Sequence, residues 1–128
     1  MGQFLVLCLL LEAFLALSTE NSVRKALKAN GFQGTIHTQD SEKFNSLRKI
    51  QNGACDKIVP LVIARPRSTQ DVALAVRVSK THHLPISVRS GGHSFTCTSL
   101  KHGSLHLDLR KLNKVKLVPS AKVKLANQ

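Results

Sequence analysis

The chain contains neither tryptophan nor tyrosine, and only seven acidic residues accompany nineteen lysines and arginines. The formal net charge over 128 residues is therefore +12. Such an excess indicates an anionic partner, or an acidic counterpart that is missing from this sequence. The five phenylalanines do not alternate with the lysines, so the sequence lacks the aromatic and basic surface on which nucleic-acid bases stack. Binding to nucleic acid is therefore disfavoured.

Several motifs that would identify a site directly are also absent. The three cysteines, Cys8, Cys55 and Cys97, form no C-x-x-C pair, and there is no Asn-x-Ser/Thr glycosylation site. We predict no metal site and expect four of the histidines at the surface: His82, His83, His102 and His106. Neither the Gly-Lys-Ser/Thr of a Walker A loop nor the G-x-G-x-x-G of a Rossmann turn occurs. A nucleotide would have to be held in another way.

An apolar run, "FLVLCLLLEAFLAL", spans residues 4–17 and is followed by Ser18 and Thr19. A run of this kind before small residues is typical of a secretory signal peptide, although no basic residue precedes it and Glu12 interrupts it. It is shorter than the roughly 20 apolar residues of a membrane helix. We expect cleavage between Ser18 and Thr19 and a secreted, extracellular protein. A buried N-terminal helix is the alternative.

Removal of that leader would leave two cysteines, Cys55 and Cys97. In an oxidising compartment they would form a disulfide, provided that their Cα atoms lie within about 7 Å of each other. The expected organisation is a signal peptide over 1–18, a helical and irregular segment over 19–56, and a domain over 57–128.

The pattern of apolar residues predicts elements of both kinds. A helix is expected to begin at Thr19 or Asn21, to bury one face, and to end before Gly31. That face carries Val23, Ala26 and Leu27. Residues 32–57 are expected to be irregular, with one short helix near 44–50.

The pattern of apolar residues predicts secondary structure more clearly from residue 61 onwards. "LVIA" at 61–64 predicts a buried strand, and Ser68 with Asp71 resembles the capping box of a helix that continues to about Thr81. The buried face of that helix is expected to carry Val72, Ala75, Val76 and Ser79. A second strand follows at 86–88, which makes a βαβ unit with parallel strands.

The last third of the chain predicts further strands. In the strand at 105–109 the leucines are expected to point inward, and His106 and Asp108 outward. "KVKLVPSAKVKL" predicts a hairpin that turns at Pro119 and Ser120. The predicted fold class is therefore α/β (α+β), with a βαβ unit as its centre.

The stretch "VRSGGHS" lies just beyond the second predicted strand, where open α/β structures bind their ligands. Gly91 and Gly92 allow the backbone to adopt a positive φ, so that successive N–H groups can converge on an anion. The loop is thus interpreted as a cradle for a diphosphate. A tight turn whose histidine points to water remains the alternative.

Three motifs together resemble the FAD-binding domain of the vanillyl-alcohol oxidase and p-cresol methylhydroxylase (PCMH) superfamily, and berberine bridge enzyme-like oxidases most closely. They are "PLVIARPRSTQDV", "VRSGGHS" and "LDLRKLNKV". The resemblance implies that the loop's backbone amides hold the pyrophosphate of FAD and that its histidine attaches covalently to the flavin. The implied cofactor-binding residues are Arg89, Ser90, Gly91, Gly92, His93 and Ser94, with His93 as the flavin-linking residue. An unprotonated imidazole nitrogen is a suitable nucleophile for such a bond.

The resemblance covers residues 56–127 and then stops. The rest of such a domain, the substrate domain, the catalytic base and a second flavin-linking cysteine would follow, so Cys97 is not assigned that role. We therefore expect the N-terminal half of a PCMH-type FAD-binding domain, as a piece of an oxidase that acts on an unknown small-molecule substrate. The alternative function is that of a secreted basic protein that binds an acidic partner without catalysis.

Overall fold

A computed structural model describes residues 2–115 of the chain. In order, its elements are α1 (Gly2–Ala29), β1 (Thr35–His37), α2 (Phe44–Arg48), β2 (Val62–Arg65), α3 (Thr69–Thr81), β3 (Ile86–Arg89) and β4 (Leu105–Asp108). Two 3-10 turns, Gly53–Lys57 and Leu109–Lys111, follow α2 and β4. The hairpin predicted at Pro119 and Ser120 lies outside the described residues.

Helix α1 is longer than the sequence pattern predicts. It runs without a break from Gly2, so the predicted start at Thr19 or Asn21 is wrong, because the leucine- and alanine-rich run before it also favours helix. Its predicted end is confirmed, since Gly31 follows with a φ of +84°. Within residues 2–115, no helix combines the length and the apolar character that crossing a membrane requires. Removal of residues 1–18 stays a prediction.

The segment before β2 contains one element that the sequence pattern missed. Strand β1 has only three residues, too few to show an alternating pattern, and it pairs antiparallel with β2. The short helix expected near 44–50 is confirmed as α2.

The four strands form one sheet in the order β1-β2-β4-β3. Strands β2 and β3 are both parallel to β4, which lies between them. The predicted βαβ unit is thus present with parallel strands, but its two strands are not neighbours. The carboxyl ends of β2, β4 and β3 all reach the same edge of the sheet.

Helix α3 begins as predicted. The hydroxyl of Ser68 accepts a hydrogen bond from the backbone N–H of Asp71 at 3.1 Å. The buried face differs in part from the prediction: it carries Leu74, Ala75, Val78 and Ser79, whereas Val76 is exposed. The buried face of α3 is rotated relative to the prediction because α3 packs against α1 as well as against the sheet. Val23 and Leu27 of α1 lie in the same core cluster as the buried apolar side chains of α3.

Both faces of the sheet are covered. One face packs against α1 and α3 through apolar side chains of β2 and β4, namely Val62, Ala64, Leu105 and Leu107. The opposite face carries Ile63, which packs against Phe44 and Leu47 of α2, and a group of polar side chains. His106 and Asp108 belong to this group and both are fully buried, so the prediction that they point outward is wrong. A strand that is covered on both faces loses the alternation on which that prediction relied.

Candidate functional site

Residues 90–94, which we call the glycine loop, begin where β3 ends. Arg89 is the last residue of that strand. Its side chain is buried, and Nη1 donates to the backbone carbonyls of Leu47 at 2.8 Å and of Lys49 at 2.5 Å. Burial lowers the pKa of Arg89, and the nearby Arg110 lowers it further, yet a guanidinium stays charged in proteins. Arg89 therefore places a positive charge directly beneath the loop.

The backbone of the loop depends on its two glycines. Gly92 has a φ of +79°, and a Cβ atom there would lie 2.8 Å from Nε of Arg89. A Cβ atom at Gly91 would lie 2.7 Å from Cδ2 of His93. Side chains at these two positions would thus displace the arginine below the loop or the imidazole beside it.

The backbone amides from Ser90 to Cys97 donate no hydrogen bond within residues 2–115, and those of the glycine loop are among them. Within residues 2–115, the N–H groups of Gly91, Gly92, His93 and Ser94 donate no hydrogen bond to another residue. A row of unpaired N–H groups around a glycine of positive φ forms a concave site for an anion. The loop therefore presents unpaired donors of the kind that bind anions.

The side chains at the end of the loop are held in place. Nδ1 of His93 lies 2.5 Å from Oε1 of Gln51, although the imidazole itself is exposed. The hydroxyl of Ser94 accepts a hydrogen bond from the backbone N–H of Thr98 at 3.1 Å and lies 3.0 Å from the hydroxyl of Thr98.

A segment after α2 fastens the loop to the rest of the domain. The backbone N–H of Gln51 donates to the carbonyl of Gly92 at 3.0 Å, and Nδ2 of Asn52 donates to the carbonyl of Phe95 at 2.8 Å. Cys55 forms a disulfide with Cys97, with 5.5 Å between their Cα atoms, so the predicted pairing is confirmed. Sequence reasoning missed Gln51 and Asn52, because their partners lie more than 40 residues away.

An open cleft of about 300 Å³ lies between this segment and the loop. It is lined by Gln51, Asn52, Gly53, His93, Ser94 and Phe95. Phe95 is 87% exposed, an unusual state for a large apolar side chain. Of the predicted cofactor-binding residues, only His93 and Ser94 line this cleft. The other four do not line it: Arg89, Ser90, Gly91 and Gly92.

Asp108, the last residue of β4, forms two ion pairs at the edge of the sheet where the parallel strands end. It pairs with Nη2 of Arg110 at 2.7 Å and with Nε of Arg65 at 2.9 Å, the latter as an ion pair without hydrogen-bond geometry. Burial, the largest single effect, raises the pKa of Asp108, but the hydrogen bonds from Arg110 and the charges of Arg110 and Arg65 together outweigh it, so the net shift is downward. Asp108 is therefore ionised at neutral pH and holds two arginines at the edge.

The prediction that His106 lies at the surface is wrong. Its Nδ1 lies 2.9 Å from the hydroxyl of Ser87, which lies 2.8 Å from the hydroxyl of Ser104. Ser104 donates its only proton to the carbonyl of Lys101, so Ser87 must donate to Ser104 and His106 must donate to Ser87. Burial, with a partial offset from Asp108, lowers the pKa of His106 to about 4. The ring is thus neutral, and its Nε2 has no partner among residues 2–115.

The other three histidines that were expected at the surface are more accessible than His106. His83 and His102 are exposed and His82 is half-buried. Nδ1 of His102 accepts a hydrogen bond from the backbone N–H of Val59 at 3.2 Å. Among residues 2–115, no three histidine, cysteine or acidic side chains are grouped so that they could hold a metal ion.

Comparison with known proteins identifies the family. The FAD binding domain family matches residues 60–126, which is just over half of the chain. (R)-6-hydroxynicotine oxidase from Paenarthrobacter nicotinovorans is 37% identical over 83 residues, which are 65% of this chain and 18% of that protein.

Solved structures agree with this result. A variant of berberine bridge enzyme matches 76% of this chain and 21% of its own length, with a TM-score of 0.66 and 29% identity. A glucooligosaccharide oxidase from Acremonium strictum with a 6-S-cysteinyl, 8α-N1-histidyl FAD matches 77% of this chain and 20% of its own, with a TM-score of 0.67 and 31% identity.

These matches cover only a part of each relative. The chain spans between 11% and 21% of the length of the relatives it matches, so it corresponds to one part of these proteins. FAD is the cofactor named for the family and for the glucooligosaccharide oxidase. From the family match, the relatives and the fold together, we conclude that this chain belongs to the FAD binding domain family of FAD-linked oxidoreductases.

Proposed function

We propose that this chain supplies the pyrophosphate-binding part of an FAD-linked oxidase. The proposed cofactor-binding residues are Arg89, Ser90, Gly91, Gly92, His93 and Ser94. The observation that carries the proposal is the row of unpaired amides over the loop Ser90–Ser94, with Gly92 at positive φ. No specific observation supports the alternative function, that of a secreted basic protein without catalysis.

The members of this set have different roles. The amides of Gly91, Gly92, His93 and Ser94 donate to the oxygens of the diphosphate, because charge-assisted hydrogen bonds from N–H to an oxyanion are strong. Arg89 is a positioning residue that acts from below, since its donors are directed to the carbonyls of Leu47 and Lys49. Its positive charge also favours an anion above it.

His93 is proposed as the flavin-linking residue. The imidazole of His93 would form a bond to a methyl carbon that bound FAD would supply, with loss of one ring proton and one methyl hydrogen. The two electrons and two protons released would reduce the flavin, and dioxygen would reoxidise it. The exposed imidazole of His93, which lines the cleft, supports this assignment. The histidyl FAD of glucooligosaccharide oxidase supports this role.

The activity proposed for the whole protein is oxidation of a small molecule at carbon, with transfer of electrons to FAD and then to dioxygen. No catalytic residue and no substrate-binding residue is assigned within residues 2–115. The proposed organisation is a signal peptide over 1–18, a helical and irregular segment over 19–56, and part of a PCMH-type domain over 57–128. The proposed location, outside the cell or in the secretory pathway, is supported by the disulfide between Cys55 and Cys97.

The cleft beside the loop is open, so water competes with the diphosphate for the amides. We therefore expect weak FAD binding and no turnover from this chain alone. Titration of the chain into FAD, followed by flavin fluorescence, tests the assignment. ADP should compete with FAD, because it carries the same diphosphate, and adenosine should not. Riboflavin that binds as tightly as FAD would show that the diphosphate is not what the chain recognises.

A further inference from the structure

A second cavity, of about 430 Å³, lies on the side of the sheet that carries β1, whereas the glycine loop follows β3 on the other side. The residues that line it are all uncharged or basic: Thr35, His37, Lys43, Arg65, Arg67 and Lys111. We call it the basic cavity. It shares no lining residue with the cleft beside the glycine loop.

The sheet brings these basic residues together from distant parts of the sequence. Arg65 is the last residue of β2, Arg67 follows it closely, and Lys111 lies in the 3-10 turn directly after β4. Thr35 of β1 is paired with Arg65. The cavity therefore lies near the carboxyl ends of two parallel strands, which is where open α/β structures bind their ligands. No run of basic residues in the sequence explains the grouping.

The positive charge of the basic cavity is not balanced by nearby carboxylates. Asp108 pairs with Nε of Arg65 at 2.9 Å, but the same carboxylate also pairs with Arg110, so one negative charge serves two arginines. The other lysines and arginine of the cavity form no ion pair within residues 2–115. A concave surface with an excess of one charge attracts small ions of the opposite charge.

His37 reports on the charges around it. Its Nε2 lies 3.1 Å from the hydroxyl of Thr35. Burial lowers the pKa of His37, the charges of Arg65 and Lys43 lower it further, and Asp108 offsets a part of this shift. An anion bound among these cations would favour the protonated imidazole and would therefore raise the pKa of His37.

The arrangement of the cations suits a phosphate group better than a carboxylate. A phosphate monoester carries a charge of about −1.5 to −2 at neutral pH and has three strong acceptor oxygens. A carboxylate carries one negative charge on two oxygens in a plane. Arg67, Lys43 and Lys111 belong to three different segments, so their donors reach the cavity from different sides. The volume is in the usual range for a small-molecule site.

We propose that the basic cavity binds a small ligand that carries a phosphate group, separately from the diphosphate assigned to the glycine loop. The proposal goes beyond the proposed function and does not depend on it. Inorganic phosphate and a phosphate monoester both supply the chemistry, and the two arms of the test distinguish them.

Titration of sodium phosphate into the ¹⁵N-labelled chain tests the proposal, with sodium chloride at the same ionic strength as the reference for screening. Phosphate should cause saturable shifts of the backbone amides of His37, Arg67 and Lys111, and it should raise the pKa of His37. Chloride should do neither. Ribose 5-phosphate forms the second arm: tighter binding than that of inorganic phosphate assigns the site to a larger ester, and equal binding assigns it to the phosphate group alone.

Lys111→Gln should weaken phosphate binding by about fivefold, as expected for the loss of one exposed charge pair. The side chain of Lys111 is exposed, so the variant should fold. Lys80→Gln is the matched control, because it makes the same chemical change at an exposed position on α3 that does not line the cavity. It should leave phosphate binding unchanged.

Four results would overturn the proposal: chloride that reproduces the shifts, succinate that binds as tightly as phosphate, equal effects of the two lysine variants, or phosphate-induced shifts confined to the glycine loop. FAD or ADP that displaced phosphate from the basic cavity would also overturn it, because the two sites would then be one. An absence of FAD-induced shifts in the glycine loop would count against the proposed function only.

Discussion

Cys55 and Cys97 form a disulfide that joins the 3-10 turn after α2 to the far end of the glycine loop. The bond closes a loop over a sequence separation of 42, so its loss should increase the conformational entropy of the unfolded chain considerably. For a loop of this length we expect Cys55→Ser to reduce the free energy of unfolding by roughly 4 kcal/mol. Chemical denaturation of the oxidised wild-type and variant chains measures the loss.

Cys8→Ala is the matched control for the disulfide, because Cys8 is a free, exposed cysteine on α1. It should leave the denaturation midpoint unchanged. If Cys55→Ser were as stable as Cys8→Ala, the disulfide would not be what fastens the loop segment to the domain.

The buried ion pairs of Asp108 should contribute far more to the free energy of unfolding than the exposed ion pair between Lys49 and Asp56. Asp108→Asn would leave Arg65 and Arg110 without their partner, and the loss of one member of a buried pair typically costs about 3–5 kcal/mol. Asp56→Asn removes the exposed 3.6 Å pair with Lys49 and should cost under about 1 kcal/mol. Thermal unfolding of the two variants, which make the same chemical change, measures the difference. Equal losses would contradict the buried role of Asp108.

Burial of neutral His106 should make the domain less stable in mild acid. The folded-state pKa is about 4 and the ordinary value is 6.5, so the unfolded chain takes up a proton first as the pH falls. Stability is complete above about pH 6.5 and should decline by about 3 kcal/mol between that pH and about 4. Unfolding by urea at a series of pH values measures the slope. Asp108 adds to the loss only at lower pH, because its folded pKa lies below its ordinary value of 3.8.

His106→Gln cannot titrate and should flatten most of that slope. His37→Gln is the comparison, because burial, with Arg65 and Lys43, also lowers the pKa of His37, and its contribution has the same sign. A His106→Gln chain that keeps the full slope would show that another group is responsible.

Covalent flavin attachment should depend on His93. In a longer form of the protein that contains this chain, His93→Ala should abolish flavin that survives denaturation, while FAD still binds through the amides. Flavin fluorescence of the denatured protein in a gel measures the covalent fraction. His102→Ala is a suitable control, since His102 is exposed and, within residues 2–115, its imidazole makes one hydrogen bond, which it accepts from the backbone N–H of Val59. Covalent flavin in the His93→Ala protein would disprove the assignment.

The sequence predicted the elements whose signals are local. The apolar run of β2, the Ser68 cap of α3 and the glycine after α1 each depend on neighbouring residues, and the structure confirms them. The loop Arg89–Ser94 was recognisable because its glycines and histidine are consecutive. The pairing of Cys55 with Cys97 followed from the count of two remaining cysteines.

The sequence could not predict contacts between distant segments. Strand β1 has three residues, and its identity as a strand depends on β2. His106 and Asp108 are polar residues in a short strand, and their burial depends on partners from other segments, such as Ser87 for His106 and Arg65 for Asp108. Gln51 and Asn52 support the loop across more than 40 residues of sequence, a distance that no spacing rule covers.

The central claim is that the amides of the glycine loop bind the diphosphate of FAD. Titration of FAD into the ¹⁵N-labelled chain, followed through backbone amide shifts, tests it most directly and is suited to weak binding. Gly92→Ala should abolish the shifts, because the added Cβ would lie 2.8 Å from Arg89, whereas Gly103→Ala should not, because its φ of +63° is similar but its surroundings are open. We predict that the largest shifts fall on Gly91, Gly92, His93 and Ser94. Shifts that fall elsewhere, or that persist unchanged in a folded Gly92→Ala chain, would contradict the account.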